Sequence, residues 1–363
     1  MKRIVKRKCL EAIKPYIPGK PVEEVERELG VKVGAKLASN ENTLGPSPLA
    51  IKAIQEAAGG AHLYPDGNCH HLRSALAAKL QIEPEQLLIA NGSDESLSMI
   101  ARTFINPGDE TVMPAPSFPQ YEFATRVMDG APRIVPLNDD FTYNVRAMLD
   151  QVTKRTRIFY LCSPNNPTGT ILKKTELEKV LNKLPSNVLV VLDEAYLEYV
   201  TDPDYFNALD YIRSGYPVIA LRTFSKIYGL AGLRIGYAVA DSNYIKEIMT
   251  VREPFNVNRL AQAAATAALE DEQHVQKGMK VAAEGRKMLG RALESLGCVC
   301  IPSFANFIFV DFKQPTDRLF QELLKQGIIV RPGGIFGYPT YARITIGTDG
   351  ENQSFIEALK KVI

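Results

Sequence analysis

The sequence has few of the features that mark secreted, metal-binding or membrane proteins. Its 363 residues include five cysteines, an odd set without a Cys-x-x-Cys pair, which favours free thiols over a disulfide framework or a zinc site. His62, His70 and His71 lie close together, but no second ligand pair follows at metal spacing, so no metal site is predicted. No apolar run is long enough to cross a bilayer.

Charge of either sign is also not in excess. The 43 Lys and Arg residues balance 41 Asp and Glu residues and leave a net charge of +2, which gives no general field for nucleic acid or an anionic membrane. The basic first eight residues are not followed by an apolar segment of secretory length, because Glu11, Lys14 and Pro15 interrupt it. We therefore expect a cytoplasmic protein in which local sites bind anions.

The pattern of apolar residues predicts an α/β fold. Between residues 86 and 240, almost wholly apolar β-type runs alternate with amphipathic helical stretches. Strands of this kind are buried on both faces, so the pattern indicates a mostly parallel sheet covered by helices.

The chain is long enough for two domains. After Pro254 the pattern changes to longer helices, followed by strand-like segments between residues 305 and 346, which indicates a smaller α+β domain. The first forty or so residues are rich in Pro and Gly, lack a strong period and are predicted to form an arm. We expect an arm and part of the small domain at 1–44, the large domain at 45–255 and the small domain at 256–363.

Five short polar segments follow predicted strands, where open α/β sheets bind their ligands. They are residues 91–95, 163–169, 193–196, 223–226 and 229–236. Their order resembles that of fold type I pyridoxal-phosphate aminotransferases, and the resemblance spans most of the chain. It implies a large domain with a mostly parallel, helix-covered sheet, a smaller α+β domain, and pyridoxal 5′-phosphate as the cofactor.

Two ionisable residues would carry the chemistry. A lysine that reacts with a carbonyl must be neutral part of the time, and burial beside other cations lowers its pKa. Lys226 alone could be a solvated helix residue; the resemblance makes it the lysine that carries the cofactor as a Schiff base and moves the proton. Asp193 follows the apolar run 188–192, where a charge needs a cationic partner, and the resemblance supplies the protonated ring nitrogen. A helix cap is the alternative for Asp193.

The cofactor phosphate would lie at the start of a helix predicted over 95–104. Backbone N–H groups at Gly92 and Ser93 favour an anion there, and Asp94 lies near a plausible N-cap. Ser225 adds a hydroxyl donor, and Arg234 supplies a positively charged guanidinium that can donate two hydrogen bonds to a phosphate. A lone Gly-Ser-Asp would more often be an ordinary turn.

Other cofactor contacts are implied by the resemblance alone. Tyr196 and Asn166 match residues that hydrogen-bond to the phenolic oxygen of the cofactor ring. Phe118 matches the aromatic residue that stacks on the ring, although it lacks the hydroxyl of a tyrosine. Tyr64 matches a tyrosine that reaches the phosphate in the neighbouring subunit, which implies a homodimer.

Further motifs resemble those of the histidinol-phosphate aminotransferases, which act in histidine biosynthesis. The matching segments are residues 14–20 and 38–47, together with two arginine motifs around Arg331 and Arg343. Tyr16 would then help to hold the substrate phosphate, and the two arginines would bind the anionic ends of the substrates. The implied reaction converts histidinol phosphate and 2-oxoglutarate into imidazole acetol phosphate and glutamate.

Three alternatives remain open. An aromatic amino-acid aminotransferase would use the same fold and arginine with a different side-chain pocket. A phosphothreonine decarboxylase, which is a lyase, would also need a phosphate site. A cofactor-binding regulator is disfavoured by the presence of Lys226 and by the lack of an added DNA-binding domain.

Overall fold

The computed structural model describes residues 4–13, 15 and 17–363 of the chain. In these residues the strands are β1 (Ala35–Lys36), β2 (Leu87–Ala90), β3 (Glu110–Ala115), β4 (Ala131–Pro136), β5 (Thr156–Cys162), β6 (Leu189–Asp193), β7 (Val218–Thr223), β8 (Gly236–Val239), β9 (Val299–Ile301), β10 (Phe307–Asp311), β11 (Ile328–Ile329), β12 (Arg331–Pro332) and β13 (Tyr341–Thr345). The α-helices are α1 (Val22–Leu29), α2 (Pro48–Ala58), α3 (His70–Leu80), α4 (Ser93–Phe104), α5 (Gln120–Val127), α6 (Val145–Asp150), α7 (Lys174–Lys183), α8 (Ala208–Arg213), α9 (Ser242–Met249), α10 (Arg259–Ala268), α11 (Glu272–Ser295), α12 (Thr316–Lys325) and α13 (Asp349–Lys360).

The central sheet is mostly parallel, as the sequence predicts. Within the described residues it contains seven strands in the order β2-β8-β7-β6-β5-β3-β4. The strands from β7 to β4 run parallel to one another, whereas β8 is antiparallel to both of its neighbours. Strands β2, β5, β6 and β7 therefore all end at the same edge, where their following loops meet.

Both faces of this sheet are buried, which explains the continuous apolar runs. In β5, Phe159 and Leu161 belong to one hydrophobic core, while Ile158 and Tyr160 belong to the core on the opposite face. Side chains alternate between the two faces of a strand, so a strand covered on both sides needs apolar residues at every position.

A second, antiparallel sheet lies beside the edge where the central strands end. Its order is β12-β13-β10-β9, and the short β1 pairs in parallel with β11 next to it. The N-terminal segment also contains α1, which the sequence does not predict. Val25 is the buried residue of α1 and packs on Leu324 and Ile329. Val22, Val25 and Leu29 are spaced at i, i+3 and i+7, a short helical repeat that the prediction of an arm without a strong period overlooks. The domain boundaries stay predictions.

Candidate active site

A cavity of about 310 Å³ lies where the loops of the central sheet face the antiparallel sheet. Most of the residues that the sequence singles out line this one cavity. They are Ser93, Asp94, Phe118, Asn166, Asp193, Tyr196, Ser225, Lys226, Arg234, Arg331 and Arg343. These side chains come from strands and loops that are far apart in the sequence, and the strand ends bring them together.

Lys226 lies three residues beyond β7 and is half-buried. Its Nζ donates a hydrogen bond to the carbonyl oxygen of Ser39 at 3.2 Å and lies 5.6 Å from the centre of the Tyr196 ring. Desolvation, followed by the charge of Arg343, lowers the pKa of Lys226 to about 8, although Glu41 opposes the shift. A substantial fraction of this amine is therefore neutral near pH 8, as carbonyl chemistry requires.

Asp193 is the last residue of β6 and is only 2% exposed. Tyr121 Oη donates to its Oδ2 at 2.8 Å, and the Ala195 N–H donates to its Oδ1 at 3.1 Å. Burial raises the pKa of Asp193 to about 6, although both hydrogen bonds lower it. The turn that follows, Leu197–Tyr199, has Tyr196 as its N-cap, so Asp193 is not a helix cap. A carboxylate buried in this way favours a cation beside it.

Tyr121 is a site residue that the sequence does not predict. It is fully buried, stacks on Tyr160 with 4.9 Å between ring centres, and meets the edge of Phe118 at 5.7 Å. Its position three residues after Phe118 is the only local signal. The contact with Asp193 joins residues 72 positions apart in the sequence and is created by the fold.

The turn before α4 brings Gly92 against Arg234. Gly92 has a positive φ of 82°, and a Cβ atom there would lie 2.7 Å from Arg234 Nη2, so glycine is required. Arg234 Nη1 lies 3.4 Å from Ser225 Oγ, and its Nη2 lies 3.5 Å from Asp94 Oδ2. The expected position of Asp94 needs a correction: the N-cap is Gly92, and Asp94 lies in the first turn of α4. The start of α4 therefore joins backbone N–H groups, a hydroxyl and a guanidinium.

Arg331 and Arg343 face each other across strands β12 and β13. Each is 7% exposed. Arg343 donates from Nη1 to Asn166 Oδ1 at 2.5 Å and from Nη2 to the Ala38 carbonyl at 2.6 Å, while Arg331 donates to the Ile17 carbonyl. Two like charges opposite each other on a sheet repel, and an anion between them removes this cost. The arrangement suits substrates with anionic ends.

Among the predicted site residues that the structure describes, Gly92 and Tyr64 are outside the set that lines the cavity. Tyr64 is 79% exposed and stacks on Phe255 with 4.7 Å between ring centres, outside the set of residues that line the cavity. Tyr16 lies outside the described residues.

The described part of the chain contains no group of three or more His, Cys, Asp or Glu side chains that could hold a metal ion. It also contains no helix with the length and apolar character that a membrane span needs.

A family model described as aminotransferase class I and II matches residues 32–359 of this chain. The chain belongs to that family. A histidinol-phosphate aminotransferase from Moorella thermoacetica is 55% identical over 360 residues, which are 98% of this chain and 93% of the relative. One from Bacillus subtilis is 43% identical, with 98% of each chain covered.

Solved structures agree with this family. Histidinol-phosphate aminotransferase from Sinorhizobium meliloti, crystallised in complex with pyridoxal 5′-phosphate, has a TM-score of 0.91 to this aminotransferase at 30% identity, covering 100% of this chain and 98% of that one. L-threonine-O-3-phosphate decarboxylase from Porphyromonas gingivalis has a TM-score of 0.77 at 26% identity, covering 90% and 98%. The predicted fold type I architecture is confirmed.

Proposed function

We propose that this aminotransferase transfers the amino group of histidinol phosphate to 2-oxoglutarate, giving imidazole acetol phosphate and glutamate. The pairing of Arg331 and Arg343 in the cavity that contains Lys226 is the observation that carries the proposal. The reaction proceeds in two half-reactions at one site, so the same cations must bind an organic phosphate in one and a dicarboxylate in the other. Curated relatives at 43–55% identity bear the corresponding name.

Pyridoxal 5′-phosphate is the cofactor, and the cavity has a group for each of its parts. The start of α4 at Gly92, with Ser225 and Arg234, suits the phosphate. The buried Asp193 suits a protonated ring nitrogen, and the face of Phe118 suits the ring. When bound, the cofactor supplies an aldehyde that links to amino groups and a ring that withdraws electrons from the substrate carbon.

The proposed chemical steps use side chains already in position. Lys226, with its lowered pKa of about 8, accepts the proton from the substrate carbon at Nζ and returns it on the cofactor side. Asp193, held by Tyr121, keeps a proton on the ring nitrogen. Arg343 and Arg331 hold the anionic end of the substrate, so that the carbon–hydrogen bond faces Lys226.

Replacing Tyr121 with phenylalanine is expected to weaken cofactor binding at acid pH. The hydrogen bond from Tyr121 lowers the pKa of Asp193, so its removal raises that pKa above about 6 and keeps the carboxyl protonated at higher pH. A hydrogen bond to a charged group is worth about 1.5 kcal/mol or more, which corresponds to roughly a tenfold loss of affinity. The loss should reach its full size below about pH 6 and shrink above pH 8. Titration of apoenzyme with pyridoxal 5′-phosphate at several pH values measures it.

Tyr160→Phe is the matched control for this experiment. It removes the hydroxyl of the tyrosine stacked on Tyr121, in the same core, without touching Asp193. Its cofactor affinity should follow that of the parent protein across the pH range. Equal affinities of Tyr121→Phe and parent protein at pH 6 would contradict the role given to Tyr121.

The substrate proposal predicts a clear ranking of amino donors. With 2-oxoglutarate as acceptor, kcat/KM for histidinol phosphate should exceed the values for phenylalanine and tyrosine by about 100-fold or more, because a phosphate has the oxygens and the charge to contact both Arg331 and Arg343, whereas these amino acids bring a single carboxylate. Steady-state assays with the three donors measure this. A preference for the aromatic amino acids would indicate an aromatic aminotransferase. Release of carbon dioxide from phosphothreonine without an oxo acid would indicate the decarboxylase.

We also propose that the enzyme is a homodimer in which Tyr64 reaches the partner's cofactor. Tyr64 and Phe255 form a stacked, exposed aromatic pair next to the exposed Leu63, a surface suited to burial against a second copy. We expect the mass of a dimer by light scattering, and Tyr64→Phe should weaken cofactor binding about tenfold while the dimer remains. A monomer with unchanged cofactor affinity would exclude this arrangement.

The cytoplasm is the compartment that we propose. All five cysteines lie in the described chain as free thiols, which suits a reducing compartment. Cell fractionation that recovers the protein in an oxidising compartment, with these thiols blocked or paired, would argue against it.

A further inference from the structure

Asn40 is a buried residue whose side chain contacts Tyr196. It lies in the loop between β1 and α2, within the segment 38–42, and is 1% exposed. Its φ of 55° is in the left-handed region, which asparagine tolerates better than most residues. The backbone is fixed there by two bonds: the Asn40 N–H donates to Thr345 Oγ1 at 2.9 Å, and Asn306 Nδ2 donates to the Asn40 carbonyl at 3.1 Å.

The hydrogen bonds around Asn40 define which way its amide points. Thr345 Oγ1 already accepts the Asn40 N–H, and its own proton has an acceptor in Asn40 Oδ1 at 3.0 Å. The oxygen of the amide therefore faces Thr345. The Nδ2 group faces the opposite way and donates to Tyr196 Oη at 3.0 Å.

This donation sets the direction of the Tyr196 proton. A phenol has one proton to donate, and Asn40 Nδ2 can donate but cannot accept. Tyr196 Oη accepts from Asn40, so its own proton must point elsewhere, and the cavity is the open direction because both residues line it. The Tyr196 ring is held in place by an edge contact with Phe307, at 5.1 Å between centres.

We propose that Asn40 is a positioning residue that makes Tyr196 a hydrogen-bond donor toward the phenolic oxygen of the bound cofactor. The inference rests on the proposed function, which supplies the cofactor. A hydrogen-bond donor at that oxygen stabilises its negative charge. The proton that this oxygen would share with the nitrogen of Lys226 is then lost more easily, so its pKa is lower. Besides Asn40, the charged or titratable groups that face Tyr196 are Arg343, Asp193, Cys162 and Lys226.

Asn40→Gly is the sharpest variant for this proposal. Glycine adopts the left-handed φ without strain and keeps both backbone hydrogen bonds, so only the side chain is lost. Tyr196 is then free to turn its proton away from the cofactor. We expect the pH midpoint of the visible absorption of the bound cofactor to rise by about one unit, a tenfold change in proton affinity. Asn40→Asp, which keeps the size but accepts instead of donating, should shift the midpoint in the same direction.

A double-mutant cycle with Tyr196→Phe separates positioning from a general structural effect. If Asn40 acts through Tyr196, Asn40→Gly should move the midpoint by less than about 0.3 units in the Tyr196→Phe background. Equal shifts in both backgrounds, or no shift in the parent background, would overturn the role of Asn40. Borohydride reduction and peptide mapping of the parent protein test the function itself: absence of cofactor on Lys226 would overturn both.

Discussion

Replacing Lys226 with alanine is expected to reduce the rate of transamination by about 10⁴-fold or more. The residue is assigned two tasks, covalent attachment of the cofactor and proton transfer at the substrate carbon, and general acid–base catalysis alone contributes roughly 10²–10⁴-fold. The groups proposed to bind the phosphate, at Gly92, Ser225 and Arg234, remain in the variant. The cofactor should therefore still bind, without a covalent link. Single-turnover assays with histidinol phosphate and the visible spectrum of the loaded variant check both parts.

The control for this experiment is Lys52→Ala. Lys52 is an exposed helix residue paired only with Glu56, four residues later, so its loss should leave the rate unchanged. Borohydride treatment should attach the cofactor to Lys226 in the control and to no lysine in Lys226→Ala. Full turnover by Lys226→Ala would remove the basis of the proposed mechanism.

Most of the fold and much of the site follow from local sequence signals. The apolar runs at 157–162 and 188–192 predict β5 and β6 to within about a residue at each end, because strands buried on both faces need such runs. Once those strands are parallel neighbours, the residues that follow them must meet at one edge. That geometry explains why Asp193 and Lys226, which are separated in the sequence, line the same cavity.

The contacts that orient these groups depend on the tertiary structure and carry little local signal. Tyr121 reaches Asp193 across 72 positions, and Asn40 reaches Tyr196 across 156. Neither contact has a fixed spacing, because each depends on the packing of separate elements. The N-cap of α4 also lacks a side-chain signal, because Gly92 precedes the helix with a positive φ and without a capping hydrogen bond from a side chain.

The pairing of β12 with β13 in the antiparallel sheet is another contact that local sequence does not predict, and it bears directly on how the substrates bind. The sequence marks Arg331 and Arg343 separately, but their cross-strand register is a property of the folded sheet. Because Arg343 also donates to Asn166, it connects the anion site with the residues beside the cofactor. We therefore expect a substrate anion bound by Arg343 to lie near the reacting carbon in both half-reactions.

Replacing Arg343 with alanine is expected to weaken both substrates, with kcat/KM for histidinol phosphate and for glutamate each falling by about 100-fold or more. Each charge-assisted hydrogen bond lost is worth about 1.5–3 kcal/mol, and Asn166 loses its partner as well. Arg343→Lys keeps the positive charge but lacks the planar guanidinium that donates two parallel hydrogen bonds, so we expect an intermediate fall in kcat/KM. Kinetics of the two half-reactions, measured separately by the change in cofactor absorption, decide the matter. A variant that loses only one substrate would show that the phosphate and the carboxylate use different sites, and the paired arginines would then no longer explain the reaction.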